Sequence, residues 1–250
     1  MRGAIFQVWI GLKYLQEPKR SAAHAIVSCL AYQVIIMKRS SIYEKKEKRF
    51  DAWSVKYDEM LAAKKAPISF ESYDEVLLAV LEQARVKEGM KVLDIGTCTG
   101  NLAALFLSAK CVVWGMDFST EMIAIAKKKL HTLRTVQANI AENKWPKELN
   151  QRFDRIVSSY VLHDFTLDMK RQLIERLFRD YLSENGLIII ADISYPTEIA
   201  RSKAQTYWGC LWNTDEYYWA ADETNSACQS MGLECIYHQV SICAGVYVIG

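Results

Sequence analysis

The sequence predicts an α/β fold, in which a doubly wound and mostly parallel sheet of seven strands ends in an antiparallel hairpin. Two observations lead to this prediction. Five short apolar runs alternate with helical patterns between residues 91 and 192, which is the arrangement of parallel strands covered on both faces. The last two runs, Leu233–Ser241 and Ala244–Ile249, are too close in sequence for a crossover connection, so they are expected to pair as a hairpin.

The first predicted strand runs directly into a glycine turn. The segment KVLDIGTCTG, residues 91–100, places apolar residues around Asp94 and then brackets a short loop with Gly96 and Gly100. A helical pattern opens at Asn101. Because glycine has no Cβ, the backbone bends sharply here and leaves room for a ligand. Strand, glycine loop and helix form the first half of a nucleotide-binding βαβ unit.

The second predicted strand ends in a carboxylate. Val112–Met116 is apolar, and Asp117 follows it, 21 positions after Gly96. A carboxylate at this point accepts two hydrogen bonds from the vicinal hydroxyls of a ribose. The sequence therefore predicts a nucleoside site between the glycine turn and Asp117. Ser119 is expected to cap the helix that follows.

The remaining elements of the sheet follow in order. Further strands are predicted at Thr135–Asn139, Phe153–Tyr160 and Gly186–Asp192, with an amphipathic helix at Thr166–Leu182. The stretch after the fifth strand is rich in aromatic residues. Residues 194–222 are therefore expected to form a lid or substrate wall over the carboxyl ends of the strands, where α/β sheets bind ligands.

Helices are predicted upstream of the sheet. Residues 41–85 are expected to form cap helices of one domain that covers residues 41–250. Phe50, Trp53 and Tyr57 recur at helical spacing on one face. Either this face packs on the core, or it caps the ligand site with Tyr57 in its lining.

Residues 1–40 are predicted to be an N-terminal extension. Its two apolar runs, residues 4–15 and 22–37, are each shorter than the roughly 20 residues that span a bilayer, so no stable membrane anchor is expected. A small-residue cleavage pattern typical of a signal peptide is not clear. A helical pair packed on the domain and a segment upstream of a natural start at Met37 both fit these residues.

Composition narrows the class of partner. The 250 residues carry 31 basic and 29 acidic side chains, a net charge of +2, which does not favour a bulk polyanion as partner. The seven cysteines include no C-x-x-C pair and no zinc-ligand spacing, so no metal site is predicted. Their odd number favours a reducing compartment, and a cytoplasmic location is predicted. No pattern in the sequence indicates an oligomeric state.

Taken in order, these motifs resemble those of the class I S-adenosylmethionine-dependent methyltransferases. VLDIGTCTGNLA is similar to the first motif of that family and VVWGMDFSTEMIAIAKKK to the second. FDRIVSSYVLHDF and ENGLIIIADISYP resemble its fourth-strand and fifth-strand motifs. The resemblance covers Phe50–Gly250 and is strongest to small bacterial methyltransferases of the YrrT type. It implies a Rossmann-like methyltransferase fold and in-line transfer of a methyl group from S-adenosyl-L-methionine to a small-molecule nucleophile.

The resemblance also implies which residues bind this cofactor. The Gly96 loop would contact the methionyl part, Asp117 the ribose hydroxyls, and the Asn139 side-chain oxygen the adenine amino group. Six further residues are expected in the site: Tyr57, Thr97, Gly100, Phe118, Ile140 and Ser159. Cys98 departs from the family pattern, which usually has glycine at the middle of the loop. We therefore expect crowding of the cofactor or a strained backbone at Cys98.

One residue is a candidate for proton transfer. Methyl transfer from a sulfonium chiefly requires alignment and exclusion of water, and only some nucleophiles need a general base. His163 lies just past the fourth strand, next to Asp164 and on the substrate side, which makes it the candidate catalytic residue. A loop histidine that caps a helix or packs under the lid explains the same pattern.

Three other functions are open on the sequence. An NAD-dependent oxidoreductase would require G-x-G-x-x-G, whereas no glycine follows Gly100 closely here. A tRNA or other nucleic-acid methyltransferase often carries Asp/Asn-Pro-Pro-aromatic after the fourth strand. This chain has Ser-Ser-Tyr-Val at that point, so nucleic acid is not the expected partner. The third alternative is a degenerate binding module in which Cys98 has abolished cofactor affinity.

Overall fold

One sheet forms the centre of the computed structural model. Its five parallel strands are β1 (Lys91–Ile95), β2 (Val112–Asp117), β3 (Arg134–Gln137), β4 (Phe153–Ser159) and β5 (Leu182–Tyr195). The two-residue strand β6 (Trp219–Ala220) pairs in parallel with the end of β5. The hairpin of β7 (Cys235–Gln239) and β8 (Ala244–Ile249) completes the order β3-β2-β1-β4-β5-β8-β7. The predicted parallel sheet with an antiparallel carboxyl-terminal hairpin is confirmed.

The structure describes residues 48, 51, 52, 54, 56–61 and 72–250, and all of them except residue 48 belong to the compact unit Phe50–Gly250. The predicted extension, residues 1–40, and the predicted roles of Phe50 and Trp53 lie outside the described residues. Within this described part of the chain, no helix combines the length and the apolar character needed to cross a membrane.

Helices cover both faces of the sheet. They are α1 (Tyr73–Ala84), α2 (Asn101–Ser108), α3 (Thr120–Lys129), α4 (Leu167–Arg176), α5 (Glu198–Trp208) and α6 (Ala221–Ser230). α1 and α2 bury Val80 and Phe106 in one apolar layer, and α4 and α6 bury Ile174 and Cys228 in the other. Short 3₁₀ turns occupy Lys147–Leu149, Leu162–Asp164 and Gly209–Leu211.

The central strand β5 contributes to both apolar layers. Ile189 packs in the α1 and α2 layer, whereas Ile188 and Ile190 pack in the other, because successive side chains of a strand point to opposite faces. This alternation explains why the fifth predicted strand reads as a continuous apolar run rather than an alternating one.

Several predicted boundaries differ from the structure, and the fifth strand, predicted over Gly186–Asp192, is longer at both ends. The helix expected over Thr166–Leu182 ends at Arg176, and a π-helical turn, Leu177–Tyr181, leads into β5. The strand expected to end at Asn139 ends at Gln137. Asn139 Oδ1 accepts the backbone N–H of Ala141 at 2.9 Å, and such a local bond favours a turn over an extended strand.

Candidate functional site

The turn after β1 is bonded to the end of β2. The backbone N–H groups of Gly96 and Thr97 both donate to Met116 O, at 2.7 and 3.0 Å. Gly96 has a φ of +71°, and a Cβ on it would lie 2.3 Å from a methyl group of Val161. Backbone conformation and packing therefore both require glycine at this position. The space left by the missing side chain is used by Val161, from the loop after β4.

Asp117 lies beside this turn. One of its carboxylate oxygens accepts the backbone N–H of Cys98 at 3.0 Å, and the other accepts that of Ser119 at 2.9 Å. Asp117 is 4% exposed, and burial raises its pKa above the usual value even though both backbone groups favour the ionised form. Each carboxylate oxygen can accept a further hydrogen bond. The glycine turn and Asp117 are therefore adjacent, and Asp117 is held in place with capacity for more donors.

Cys98 has the conformation expected of a glycine. Its φ is +48°, in the left-handed region, and its side chain is partly buried. An L-residue in this region is strained by about 1–2 kcal/mol, because its Cβ approaches the following carbonyl oxygen. The sequence expectation of a strained backbone at this position is therefore confirmed in the geometry.

A second carboxylate is buried at the end of β1. Asp94 is 1% exposed, and its Oδ2 accepts the Thr97 hydroxyl at 2.7 Å. Its Oδ1 is buried and has no hydrogen-bond partner within the described residues. Burial raises the pKa of Asp94 to about 7, and the nearby Asp117 adds to this effect. Two buried carboxylates on neighbouring strands, one with an unsatisfied oxygen, form a site suited to a cation that carries N–H groups.

The upstream helical segment (residues 51, 52, 54 and 56–61) is bonded to the same turn. Asp58 Oδ1 accepts from Thr99 Oγ1 at 2.6 Å and from Asn101 Nδ2 at 3.2 Å. Asp58 Oδ2 pairs with Lys129 Nζ, the last residue of α3, at 2.7 Å. Burial alone would raise the pKa of Asp58, but these partners hold it below the usual value. One carboxylate thus ties the segment to the glycine turn and to two helices.

Tyr57 is buried next to this turn. It is 5% exposed, and burial together with the neighbouring Cys98 and Tyr73 raises its pKa well above the usual value. The ring of Tyr73 stacks on that of Tyr160, with 5.6 Å between the centroids. Tyrosines from the upstream segment, α1 and the loop after β4 therefore meet at the carboxyl ends of the strands.

The other predicted cofactor residues lie in the loops at this edge or at the strand ends. They are Thr97, Gly100, Phe118, Asn139, Ile140 and Ser159. Gly100 precedes α2 with a φ of +89°, so it also requires glycine. The Asn139 oxygen already accepts one hydrogen bond, from Ala141, which leaves it one lone pair for an adenine amino group. Contact between these residues and the cofactor stays a prediction.

His163 is paired with Asp192 on β5. His163 Nδ1 lies 2.7 Å from Asp192 Oδ1, and its backbone N–H donates to Asp192 Oδ2 at 2.9 Å. Asp192 is fully buried and also accepts Trp219 Nε1 at 3.2 Å. Burial alone would lower the pKa of His163, but the Asp192 carboxylate raises it above the usual value. Burial alone would raise the pKa of Asp192, but His163 lowers it below the usual value.

Three carboxylates of this region are absent from the set of residues predicted from sequence: Asp58, Asp94 and Asp192. Asp94 and Asp192 carried a readable signal, since each is an acidic residue inside an apolar run of its strand, residues 92–95 and 187–193. Asp58 carried none, because its partner Thr99 lies 41 positions away.

A model of the methyltransferase domain family matches residues 57–238, the part of the chain that holds the glycine turn, Asp117 and His163. The chain belongs to this family. The membership confirms the predicted S-adenosylmethionine-dependent methyltransferase, with S-adenosyl-L-methionine as its cofactor.

Bacterial relatives of this methyltransferase are similar over the same region. An uncharacterized methyltransferase of Oceanobacillus iheyensis is 34% identical over 154 residues, which are 61% of this chain and 68% of the relative. One from Alkaliphilus oremlandii is 30% identical over 151 residues, which are 60% of this chain and 68% of the relative. The matched region thus spans about two thirds of these relatives.

Solved methyltransferase structures share the fold. A DhpI complex with SAM and HEP has a TM-score of 0.64 at 18% identity, covering 83% of this chain and 97% of the other. Magnesium protoporphyrin IX methyltransferase of Synechocystis, with bound SAH, has a TM-score of 0.56 at 15% identity, covering 72% and 81%. The small RNA methyltransferase HEN1 has a TM-score of 0.55 at 16% identity, covering 71% and 25%. These similarities confirm the Rossmann-like methyltransferase fold.

Replacing Cys98 by glycine is expected to give a more stable protein than replacing it by alanine, by about 1 kcal/mol, because only glycine relieves the left-handed strain. Urea unfolding of Cys98→Gly and Cys98→Ala measures the difference. The same pair of substitutions at Cys210, an exposed residue without a positive φ, is the control and should favour alanine. Equal stability of the two Cys98 variants would contradict the strain.

Loss of the His163–Asp192 pair is expected to destabilise the protein more at pH 5.5 than at pH 9. Because the folded-state pKa of His163 is raised, the pairing contributes fully below the unfolded value of about 6.5 and is lost as the pH rises through the folded value. Asp192, with its lowered pKa, stays ionised across this range. Denaturant unfolding of His163→Gln at both pH values checks this, with exposed His131→Gln as the control. An equal loss at pH 9 would refute it.

Proposed function

We propose that this methyltransferase transfers a methyl group by in-line displacement to a small-molecule nucleophile. The observation that carries the proposal is a half-open cavity of about 330 Å³, whose wall residue Tyr217 donates its backbone N–H to the carbonyl of His163 at 2.6 Å. Its volume falls in the range of small-molecule sites, about 300–1,000 Å³. Aromatic side chains form much of its wall: Trp212, Tyr217, Tyr218 and Trp219.

Residues of the glycine turn and of β2 would hold the cofactor. When bound, S-adenosylmethionine supplies a methyl group on a positively charged sulfur, which is already strongly activated. Asp117, fixed by two backbone N–H groups, would accept the ribose hydroxyls. The unsatisfied Oδ1 of Asp94 would accept an N–H of the cofactor's ammonium group, whose positive charge would favour the ionised carboxylate. Tyr57 closes the site from the upstream helical segment and excludes water.

His163 is proposed to receive the acceptor's proton. Asp192 holds Nδ1, so the neutral imidazole keeps its proton there and presents the lone pair of Nε2. Nε2 forms no hydrogen bond with any of the described residues. Asp192 is the positioning residue, since it fixes both the ring and the tautomer. Because the pKa of His163 is raised, the base form becomes more abundant as the pH increases.

The carboxylate of Asp117 is expected to contribute about 1.5–3 kcal/mol to cofactor binding through charge-assisted hydrogen bonds. Calorimetric titration with S-adenosylhomocysteine should therefore show roughly tenfold to hundredfold weaker binding by Asp117→Ala. Asp117→Asn keeps one acceptor for the loop, so it separates the effect of losing the charge from the effect of losing the hydrogen bonds that hold the loop. Exposed Asp168→Ala is the matched control. Unchanged affinity in a folded Asp117→Ala protein would reject the assignment, and tighter binding of NAD than of S-adenosylhomocysteine would reject the function.

A screen of acceptors tests the substrate class. The full chain is incubated with S-adenosylmethionine and either pools of small phenols, amines, thiols and acids or bulk tRNA, and S-adenosylhomocysteine production is measured. We expect turnover with a small-molecule pool. Methylation of tRNA alone would overturn the proposal.

With the acceptor identified, His163→Gln should lower kcat about 100-fold at unchanged S-adenosylhomocysteine affinity and should abolish the rise of kcat with pH.

A further inference from the structure

A buried lysine forms part of the wall of the acceptor cavity. Lys170 lies in the first turns of α4 and is 3% exposed. Its Nζ donates to the backbone carbonyl of Tyr217 and lies 4.1 Å from the centroid of the Trp219 ring. An ammonium group has three N–H donors, and this geometry uses one of them in a hydrogen bond. Its other N–H donors form no hydrogen bond within the described residues, and Lys170 lines the cavity.

No carboxylate neutralises this lysine directly. None of the ion pairs within the described residues includes Lys170. Glu223, on the same wall, is paired with Arg201 through two hydrogen bonds of 2.6 and 2.9 Å. Glu216 accepts the side-chain amide of Asn213 at 2.6 Å. Burial lowers the pKa of Lys170 to about 7, although the charge of Asp192 opposes the shift.

A buried ammonium without a paired anion is costly, and an anionic ligand group would remove that cost. The other charges of the wall do not compete for this group. The charge of the Arg201 guanidinium is balanced by Glu223, and Arg201 also donates to the carbonyl of Tyr218 at 3.0 Å. Lys170 is therefore the cation of the wall that is in no ion pair with a described residue.

One loop connects this cavity to the glycine turn. Val161 packs against Gly96 on one side. Two residues later, the carbonyl of His163 accepts the backbone N–H of Tyr217, from the cavity wall, at 2.6 Å. A cofactor at the turn and an acceptor in the cavity would thus flank residues 161–163.

We propose that this cavity binds the methyl acceptor and that Lys170 selects an acceptor with a carboxylate on an aromatic or apolar body. The ammonium binds the carboxylate, and the rings of Trp212 and Tyr218, which meet edge to face at 4.6 Å, contact the body. This inference rests on the proposed function, because it names the substrate class of the same site.

Two pairs of probes test the selection. One pair is 4-hydroxybenzoate and 4-hydroxybenzamide, and the other is hexanoate and hexanamide, so that each carboxylate is matched to a neutral molecule of similar shape. The full chain is saturated with S-adenosylhomocysteine, and binding is followed by calorimetry and by tryptophan fluorescence, since Trp212 and Trp219 line the cavity. We expect at least one carboxylate to bind about tenfold or more tightly than its amide, as a charge-assisted hydrogen bond provides.

Variants of Lys170 test whether this residue causes the preference for carboxylates. Lys170→Met should remove the preference for the carboxylate, and Lys170→Arg, which keeps the charge, should retain most of it. Both should keep the affinity for S-adenosylhomocysteine. Lys128→Met, the same substitution at an exposed lysine of α3, is the control and should behave as the unmodified chain. A thermal melt reports whether Lys170→Met is folded.

The outcomes separate this inference from the function on which it rests. Failure of the unmodified chain to bind S-adenosylhomocysteine overturns the proposed function. If S-adenosylhomocysteine binds but neither carboxylate does, or if carboxylates and amides bind equally, the role of Lys170 is overturned. These comparisons need no variant. A carboxylate preference that persists in folded Lys170→Met likewise overturns it.

Discussion

The hydrogen bonds between the β1 turn and the end of β2 are the constraint on which the site depends. Two backbone N–H groups of the turn converge on Met116 O, and a third, from Cys98, is held by the Asp117 carboxylate. The turn therefore has one conformation, and Asp117 has one position. Asp58 adds a second anchor from outside the sheet, through Thr99 and Asn101. A left-handed cysteine is tolerated because its surroundings over-determine the backbone.

Buried charge is distributed unevenly along the strand ends. Asp94 on β1 and Asp117 on β2 are both buried, and neither forms an ion pair with a described residue. At β5, Asp192 is paired with His163, and a cation, Lys170, lines the neighbouring wall. The two halves of the edge therefore suit ligands of opposite charge: a sulfonium with an ammonium group at the first, and an anion at the second.

Local sequence rules determined the sheet and the glycine turn, because strand period, glycine geometry and a short hairpin connection all act within a few residues. The pairings that build the site act over longer distances. His163 and Asp192 are 29 positions apart, and their pairing depends on the parallel register of β4 and β5. Lys170 could have been recognised, since it shares the i, i+3 and i+7 spacing of the apolar residues of its helix. Its cavity, built from four separate elements, could not.

The contact between Val161 and Gly96 bears on how the substrate specificity of such an enzyme can change. It joins two otherwise separate parts, since the proposed cofactor side is built on β1 and β2, and the wall of the proposed acceptor cavity on α4, α5, α6, β6 and residues 212–218. Among the described residues, residues 212–218 form no hydrogen bond with the glycine turn or with β2, and Tyr217 links them to the loop after β4 through its bond to His163. The packing of Val161 against Gly96 joins the two parts. New specificities within this scaffold can therefore arise by loop replacement, provided that this contact and the hydrogen bond between Tyr217 and His163 are preserved.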